Sequence, residues 1–254
     1  MRLMVFAIVI MMLPLTSAIS NLTVYSEAKY ENQDSAPILV EFFHGANDDS
    51  IVEDFETLDS RNEITLLHWR TGADEEGGGF PDDDANSRLM YHGLETTPSV
   101  AINGFEENIS DVMGQTIDNE VEIDWTIQLI GSSEVELLNI TATWTNPETL
   151  NGATQLHLFI IETNAVDSKG REVKNLVRDW SPSSTFYFSN NTTNYWNSTI
   201  SYDHLDGAGI NLGDASHADD FEIILVMVGG FENDSFNRVL SLQRAKMPTY
   251  WQSV

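Results

Sequence analysis

The chain has 254 residues, 41% of them hydrophobic, with 40 acidic against 12 basic side chains, a formal charge of −28 and no cysteine. That length and apolar content suffice for one large or two modest cores and exclude wholesale disorder. Without a thiolate there is no nucleophile for thiol–disulfide exchange and no disulfide to brace the fold, and so few Lys and Arg strongly disfavour nucleic-acid binding and disfavour an anionic-membrane surface.

The acidity is not confined to a tail. Residues 19–118 hold 22 acids and 4 bases, and residues 119–254 hold 18 and 7. This pattern reads as a solvated surface that keeps an exported protein soluble, or one suited to a saline or cation-rich setting.

Residues 1–18 read as a signal peptide: Arg2, an apolar run Leu3 to Leu13, the breaker Pro14 and the small-residue exit Thr16-Ser17-Ala18. An uncleaved anchor is the alternative, although the run is short of the ~20 residues a membrane span needs. The protein is thus expected to be exported, either secreted or held at the cell surface. Ile38–Phe43 is an apolar run between Pro37 and Gly45, the pattern of a buried strand. Ser50-Ile51-Val52-Glu53 has the capping-box form and predicts a helix from Ser50 to Asp59. Ile64–Trp69 is a second strand, and the crossover implies parallel pairing with the first. Residues 71–84 are a Gly- and Asp-rich loop, and Asp84 is expected to cap a short helix through Tyr91. Ser99–Asn103 is a third strand, Asn103-Gly104 turns into a hairpin partner, and residues 109–118 read as one more helix.

From residue 119 the pattern changes. Val121–Ile130, Val135–Trp144, Gln155–Glu162, Thr185–Phe188, Trp196–Tyr202, Phe221–Val228 and Arg238–Leu242 alternate or run apolar at strand length, separated by turn residues. About seven short strands of this kind suggest a β-sandwich. No internal repeat is present.

Leu39-Val40-Glu41-Phe42-Phe43-His44-Gly45, with Ser87-Arg88-Leu89-Met90-Tyr91-His92-Gly93 and Thr97-Pro98-Ser99-Val100, resembles the exported thioredoxin-like family related to outer membrane protein twenty-eight. In that family the first strand leads into a CxxC-type segment; here Ala46-Asn47-Asp48-Asp49-Ser50-Ile51 stands there, without cysteine. Leu158–Glu162 and Val173–Arg178 look like strands of the β-domain that follows. The resemblance implies an α/β thioredoxin-like domain at 19–118, an all-β Ig-like sandwich at 119–254 and a cis peptide at Thr97–Pro98. It carries over no redox activity.

Candidate sites follow. The resemblance implies a cis-proline groove framed by Asn47, Asp48, Asp49, Thr97 and Pro98, open to an extended peptide; the plainer reading is that Asp48 and Asp49 only favour a helix start. Asp74-Glu75-Glu76 and Asp82-Asp83-Asp84 flank three glycines and could supply oxygens to Ca²⁺, but the spacing matches no EF-hand and a solvated loop is the simpler reading. His204, Asp206, His217, Asp219 and Asp220 form the one His/Asp-rich stretch, without HExxH-like spacing. His44, His68, His92 and His157 stand singly and read as structural. Glycosylation sequons begin at Asn21, Asn108, Asn139, Asn190, Asn191, Asn197 and Asn233. Trp125, Trp144, Trp180 and Trp196 suit a sandwich core, with a carbohydrate-stacking face as the rival.

The sequence therefore points to an exported, redox-inactive binding or scaffold module. It is expected to need no cofactor and to take a protein or peptide partner, a basic one by charge. The alternatives are a carboxylate- or metal-dependent enzyme, and a divergent member of an oxidoreductase family that has lost its cysteines.

Overall fold

In the computed structural model the described residues are 22–30, 38–45, 48, 58, 64–71, 82–103, 105–106, 120–132, 134–147, 152–166, 170, 172–187, 192–211, 220–229 and 238–248. The expected signal peptide, most of the Ser50–Asp59 helix and the 109–118 helix lie outside them.

Alternation sets the strands of the smaller sheet. In β6 (Ile123–Gly131) Ile123, Trp125, Ile127 and Leu129 are buried, while Asp124, Thr126 and Gln128 face outward. β7 (Leu137–Thr145) buries Leu138, Ile140, Ala142 and Trp144 in the same way. With β1 (Thr23–Tyr30) and β11 (Thr193–Ser201) they form a four-stranded sheet, ordered β1-β6-β7-β11, whose neighbours are antiparallel.

The larger sheet has nine strands, ordered β13-β12-β8-β9-β3-β2-β4-β5, with β10 (Phe186–Tyr187) paired to β8. Its members are β2 (Ile38–His44), β3 (Ile64–Arg70), β4 (Ser99–Ile102), β5 (Phe105–Glu106), β8 (Ala153–Val166), β9 (Glu172–Pro182), β12 (Phe221–Gly229) and β13 (Arg238–Lys246). β2 and β3 are parallel and buried at every position, as expected of strands covered on both faces. The Asn103 turn joins β4 to β5 in a hairpin; Asn103 sits at φ +51 and its side chain accepts from the Leu39 N–H.

Two apolar layers flank the centre of this sheet. Leu156, Leu158, Ile160, Ile223 and Leu225 pack against the inner face of the four-stranded sheet. Phe159, Ile161, Ile224 and Val226, from the opposite face of the same strands, pack with Phe43, Trp69 and helix α1 (Asp82–Tyr91). Each such side chain contributes about 1.5–3 kcal/mol on burial. Helix α1 opens with three aspartates, which favour its positive end, and turns Ala85, Arg88 and Leu89 inward. It exits through Gly93 at φ +71, the left-handed position that glycine tolerates. A second helix, α2 (Tyr202–Gly207), starts where Ser201 caps the His204 N–H.

The fold class expected from the sequence is corrected here. Of the described residues 66% lie in strands and 12% in helices, in two sheets, so the protein is mainly β; an α/β thioredoxin-like domain followed by an Ig-like sandwich is not what they form. The physical reason lies at the edges. β1 is captured by β6, which caps an otherwise open edge. β3 meets β9 in parallel at His68 and Leu176, so strands from residues 38–106 continue into the sheet built by residues 153–246. Strands from both sides of residue 118 thus share both sheets. Among the described residues no helix is long and apolar enough to cross a membrane.

Candidate functional site

Glu41 is the one acidic residue in the run Ile38–His44, and it is fully buried. Such a carboxylate needs donors and a counter-charge. Arg88 supplies both, with Nε 2.8 Å from Oε2 and Nη2 2.7 Å from Oε1. Trp69 Nε1 donates to Oε2 at 3.1 Å and His92 Nε2 donates to Oε1 at 3.0 Å. Burial alone would push the Glu41 carboxyl up, but the Arg88 and His92 charges and hydrogen bonds hold it well below the usual carboxylate range.

The Arg88 guanidinium is packed among Tyr91, Phe159 and Trp180, 4.6, 5.3 and 5.2 Å from their ring centroids. Its Nη1 donates to His157 Nδ1 at 2.9 Å, and Trp180 Nε1 donates to the same atom at 3.0 Å. Neither donor can accept, so His157 is neutral with its proton on Nε2, 3.5 Å from Tyr91 Oη. Burial and then the Arg88 charge drive the His157 pKa well below its ordinary value. Burial pushes the Tyr91 hydroxyl up to about 12. Glu41, Arg88, Trp69 and His157 at the centre of this network are buried, Tyr91 and Trp180 are half-buried at its rim, and its hydrogen bonds clamp α1 and β2 onto β8 and β9.

A second buried chain lies at the carboxyl ends of β2 and β3. Arg70 Nη1 donates to His44 Nδ1 at 3.2 Å and to the Gly45 carbonyl at 3.1 Å. His44 therefore carries its proton on Nε2, which donates to His68 Nδ1 at 3.1 Å. Each histidine read as structural is thus a member of one of these two networks.

The expected groove residues fall beside this end of the sheet. The Thr97–Pro98 peptide is cis, and both residues are exposed. Ser99 pairs with Phe43, so the proline enters the sheet next to the end of β2. Asp48 closes a turn there: its Oδ2 accepts from the Gly45 N–H at 2.7 Å. Asn47 and Asp49 lie outside the described residues. Asp83 is exposed and Asp84 half-buried on the first turn of α1, while nothing is described of the Asp82 side chain. Among the described residues no group of three or more His, Asp or Glu is gathered as a metal site. Of the sequon asparagines, Asn139 and Asn197 are described; they sit on the outer face of the four-stranded sheet, with Asn197 Nδ2 donating to Asn139 Oδ1 at 2.6 Å. Asn21, Asn108, Asn190, Asn191 and Asn233 lie outside the described residues, as do Asp74-Glu75-Glu76, His217 and Asp219.

One open cleft, of about 420 Å³, lies between α1, β9, β11 and α2, and Asp84, Asp179, Trp180, Ser198, Ser201 and His204 line it. A bulge builds it. β9 carries one extra residue opposite the Ile160–Ile161 step, so Val177 pairs with Ile161 while Asp179 pairs with Ile160. Paired residues share a face, so the insertion turns Asp179 toward the four-stranded sheet and leaves Trp180 with Phe159 on the α1 side. Asp179 is 5% exposed and accepts from His204 Nε2 at 2.8 Å. Asp84 Oδ2 accepts from the Trp180 backbone N–H at 3.1 Å. Burial raises the Asp84 pKa, and the Asp179 charge adds to that. Asp84, from the Asp-rich run expected to offer oxygens to Ca²⁺, and His204, from the His/Asp-rich stretch, line one cleft together with Asp179, a residue that no sequence motif marks. Asp220 lies apart, its carbonyl accepting from Thr163 Oγ1.

No family model matches the chain, and no curated protein matches it. Among solved structures it is similar to HBP35 of Porphyromonas gingivalis, with a TM-score of 0.61 at 10% identity over 88% of this chain and 80% of that one. A β-glucosidase from Listeria innocua aligns at TM-score 0.27 and 11% identity over 55% of this chain and 17% of its own. A protein from Archaeoglobus fulgidus aligns at 0.27 and 14% identity, over 52% of this chain and 97% of its own. The first likeness is one of fold, and the other two carry no argument.

Proposed function

We propose that this chain is an exported, redox-inactive binding module that captures a basic segment of a partner protein. The carrying observation is where its scarce cations go. Arg88 pairs with Glu41, Arg178 with Glu162 and Arg244 with Glu222, and Arg70 is buried. Of the cationic side chains described, Lys29, Lys174 and Lys246 are exposed, and Lys29 is bonded to Glu27. Among the described side chains the arginines are thus paired with acids or buried, and with 40 acidic against 12 basic side chains the surface carries net negative charge. Complementary potential steers association and sets partner choice. The absence of cysteine supports the redox-inactive part, and the apolar start of the chain supports export.

The test is calorimetric titration of the purified chain with a Lys-rich peptide and with the same peptide carrying Glu in place of Lys. Binding of the first alone, weakening as salt rises from about 0.05 M to 0.5 M, is the expected result. Equal affinity for both peptides, or no binding of the basic one at low salt, would overturn the reading. Consumption of the titrant would favour a carboxylate-dependent enzyme instead.

A further inference from the structure

We infer that the open edge of β11 is a self-association surface, on which the β11 strand of a second copy of this chain pairs antiparallel and joins the two four-stranded sheets across a two-fold axis. This is independent of the basic-partner reading.

An edge strand presents a row of N–H and C=O groups to any strand that reaches it, and proteins guard such edges with charge, bulges, short strands or cover. The other edges among the described residues are guarded. β1 carries Glu27 and Lys29, both exposed, and a register shift between Val24 and Ser26. β5 and β10 are two residues long each. β13 carries Arg244 and Lys246, and its residues from Val239 to Gln243 are buried. β11 has none of these devices. It is nine residues long, without charge or proline, and it pairs with β7 without a shift. Its even positions face β7: the Thr192 carbonyl accepts from the Asn146 N–H at 3.2 Å, and the Tyr202 N–H donates to the Glu136 carbonyl at 2.8 Å. Alternation then turns the N–H and C=O of Thr193, Tyr195, Asn197, Thr199 and Ser201 to the open side, and all five residues are exposed.

Charge selects the occupant. Residues 180–202 contain no Asp, Glu, Lys, Arg or His, although charged residues make up 20% of the chain. A charged peptide gains nothing from a neutral edge. Two copies of a chain at −28 gain a great deal, because like charges repel at any other meeting surface. Screening leaves charges more than ~8 Å from the seam with little effect at physiological salt. At the carboxyl end of β11, Asp84 and Asp179 are bonded to the Trp180 N–H and to His204. At its amino end Thr193 shares a hollow with Glu120, Glu122 and Asp124, so some repulsion remains there for salt to screen. Thr, Asn and Tyr facing their own kind across strands supply hydroxyl, amide and aromatic contacts, and Tyr195, 62% exposed, is the largest of them.

Sedimentation of the purified full chain between about 1 and 500 µM, at ~0.05 M and ~0.5 M salt, tests this. The expected result is a monomer–dimer equilibrium that tightens as salt rises, the opposite sign from the capture of a basic peptide. Tyr195→Pro removes one outward N–H and leaves the β7 ladder whole. Thr199→Glu adds a negative charge on each side of the seam at an exposed position, which keeps the fold should the proline disturb it. Each should weaken the dimer about tenfold or more. Thr23→Glu, which puts the same charge on the exposed β1 edge, should leave it unchanged. A chain that stays monomeric at every concentration overturns the inference. So does a dimer that Thr199→Glu forms as well as wild type, since the two copies then meet elsewhere. A monomeric chain that binds a peptide of residues 192–201 gives the edge to a foreign strand and overturns it too.

Discussion

Replacing Arg88 with Met tests whether the Glu41 network clamps the two halves of the chain. Met keeps the length of the side chain and removes the charge. Glu41 is then left fully buried without its bidentate partner, and breaking a buried pair in this way costs about 3–5 kcal/mol. Against a total stability of about 5–15 kcal/mol that is a large fraction, and for a chain of this size it lowers Tm by about 6–20 °C. Urea unfolding at pH 7 measures it. The pH dependence adds a second readout. In the wild type the Glu41 carboxyl lies below its unfolded value, so its stabilisation is complete above pH ~4.3 and is lost as pH falls toward the folded value. In Arg88→Met burial dominates, the carboxyl rises above ~4.3, and the sign reverses: stability now falls as pH rises. The variant should therefore be closer to wild type at pH 4 than at pH 7. In Glu41→Leu/Arg88→Met the buried charge is gone, though Trp69 and His92 lose an acceptor, so the double variant should be more stable than Arg88→Met alone. A loss below ~1 kcal/mol in Arg88→Met, or a double variant as weak as the sum of the singles, would refute the clamp.

His157 accepts two hydrogen bonds at Nδ1 and its pKa is depressed, so the unfolded chain takes up its proton first and stability should decline as pH drops below ~6.5. His157→Asn offers an oxygen near the Nδ1 position without titrating; its urea midpoint should change less than wild type between about pH 7 and 5. At −28 the chain repels itself, so Tm should rise between very low and ~0.5 M salt, and a flat profile would count against net repulsion. A Cβ at Gly131 would lie 1.7 Å from the Glu134 carbonyl oxygen, so Gly131→Ala should cost about 1–3 kcal/mol or more by urea unfolding, whereas the open Gly207 should tolerate Ala without loss.

The strands were legible because burial on one face imposes a period of two, and Ile123–Gly131 or Leu137–Thr145 display it plainly. The Asn103 turn and the helix ahead of Tyr91 were legible from local chemistry. What local pattern could not convey was partnership between distant strands. Thr23–Tyr30 has no strong alternation and was not read as a strand, yet it forms the edge beside β6. The same limit produced the wrong fold class: an apolar parallel pair such as β2 and β3 suits an isolated α/β unit or the middle of a long sheet, and only the β3–β9 contact decides between them.

The site was hidden for a related reason. Asp179 reaches its cleft through an extra residue in β9, and a bulge leaves no mark in an amphipathic pattern except a lost beat. The clamp, by contrast, left a usable signal. Glu41 interrupts an otherwise apolar strand, and a carboxylate there demands a cation. Residues 19–118 contain four bases, and Arg88 lies on the inward face of a short helix beside Ala85 and Leu89. In a chain this acidic, a buried acid and a rare inward arginine are close to sufficient to name each other. The same logic carries the functional reading: the described arginines are paired with acids or buried, so a surface of net negative charge is where a partner's cation has most to gain.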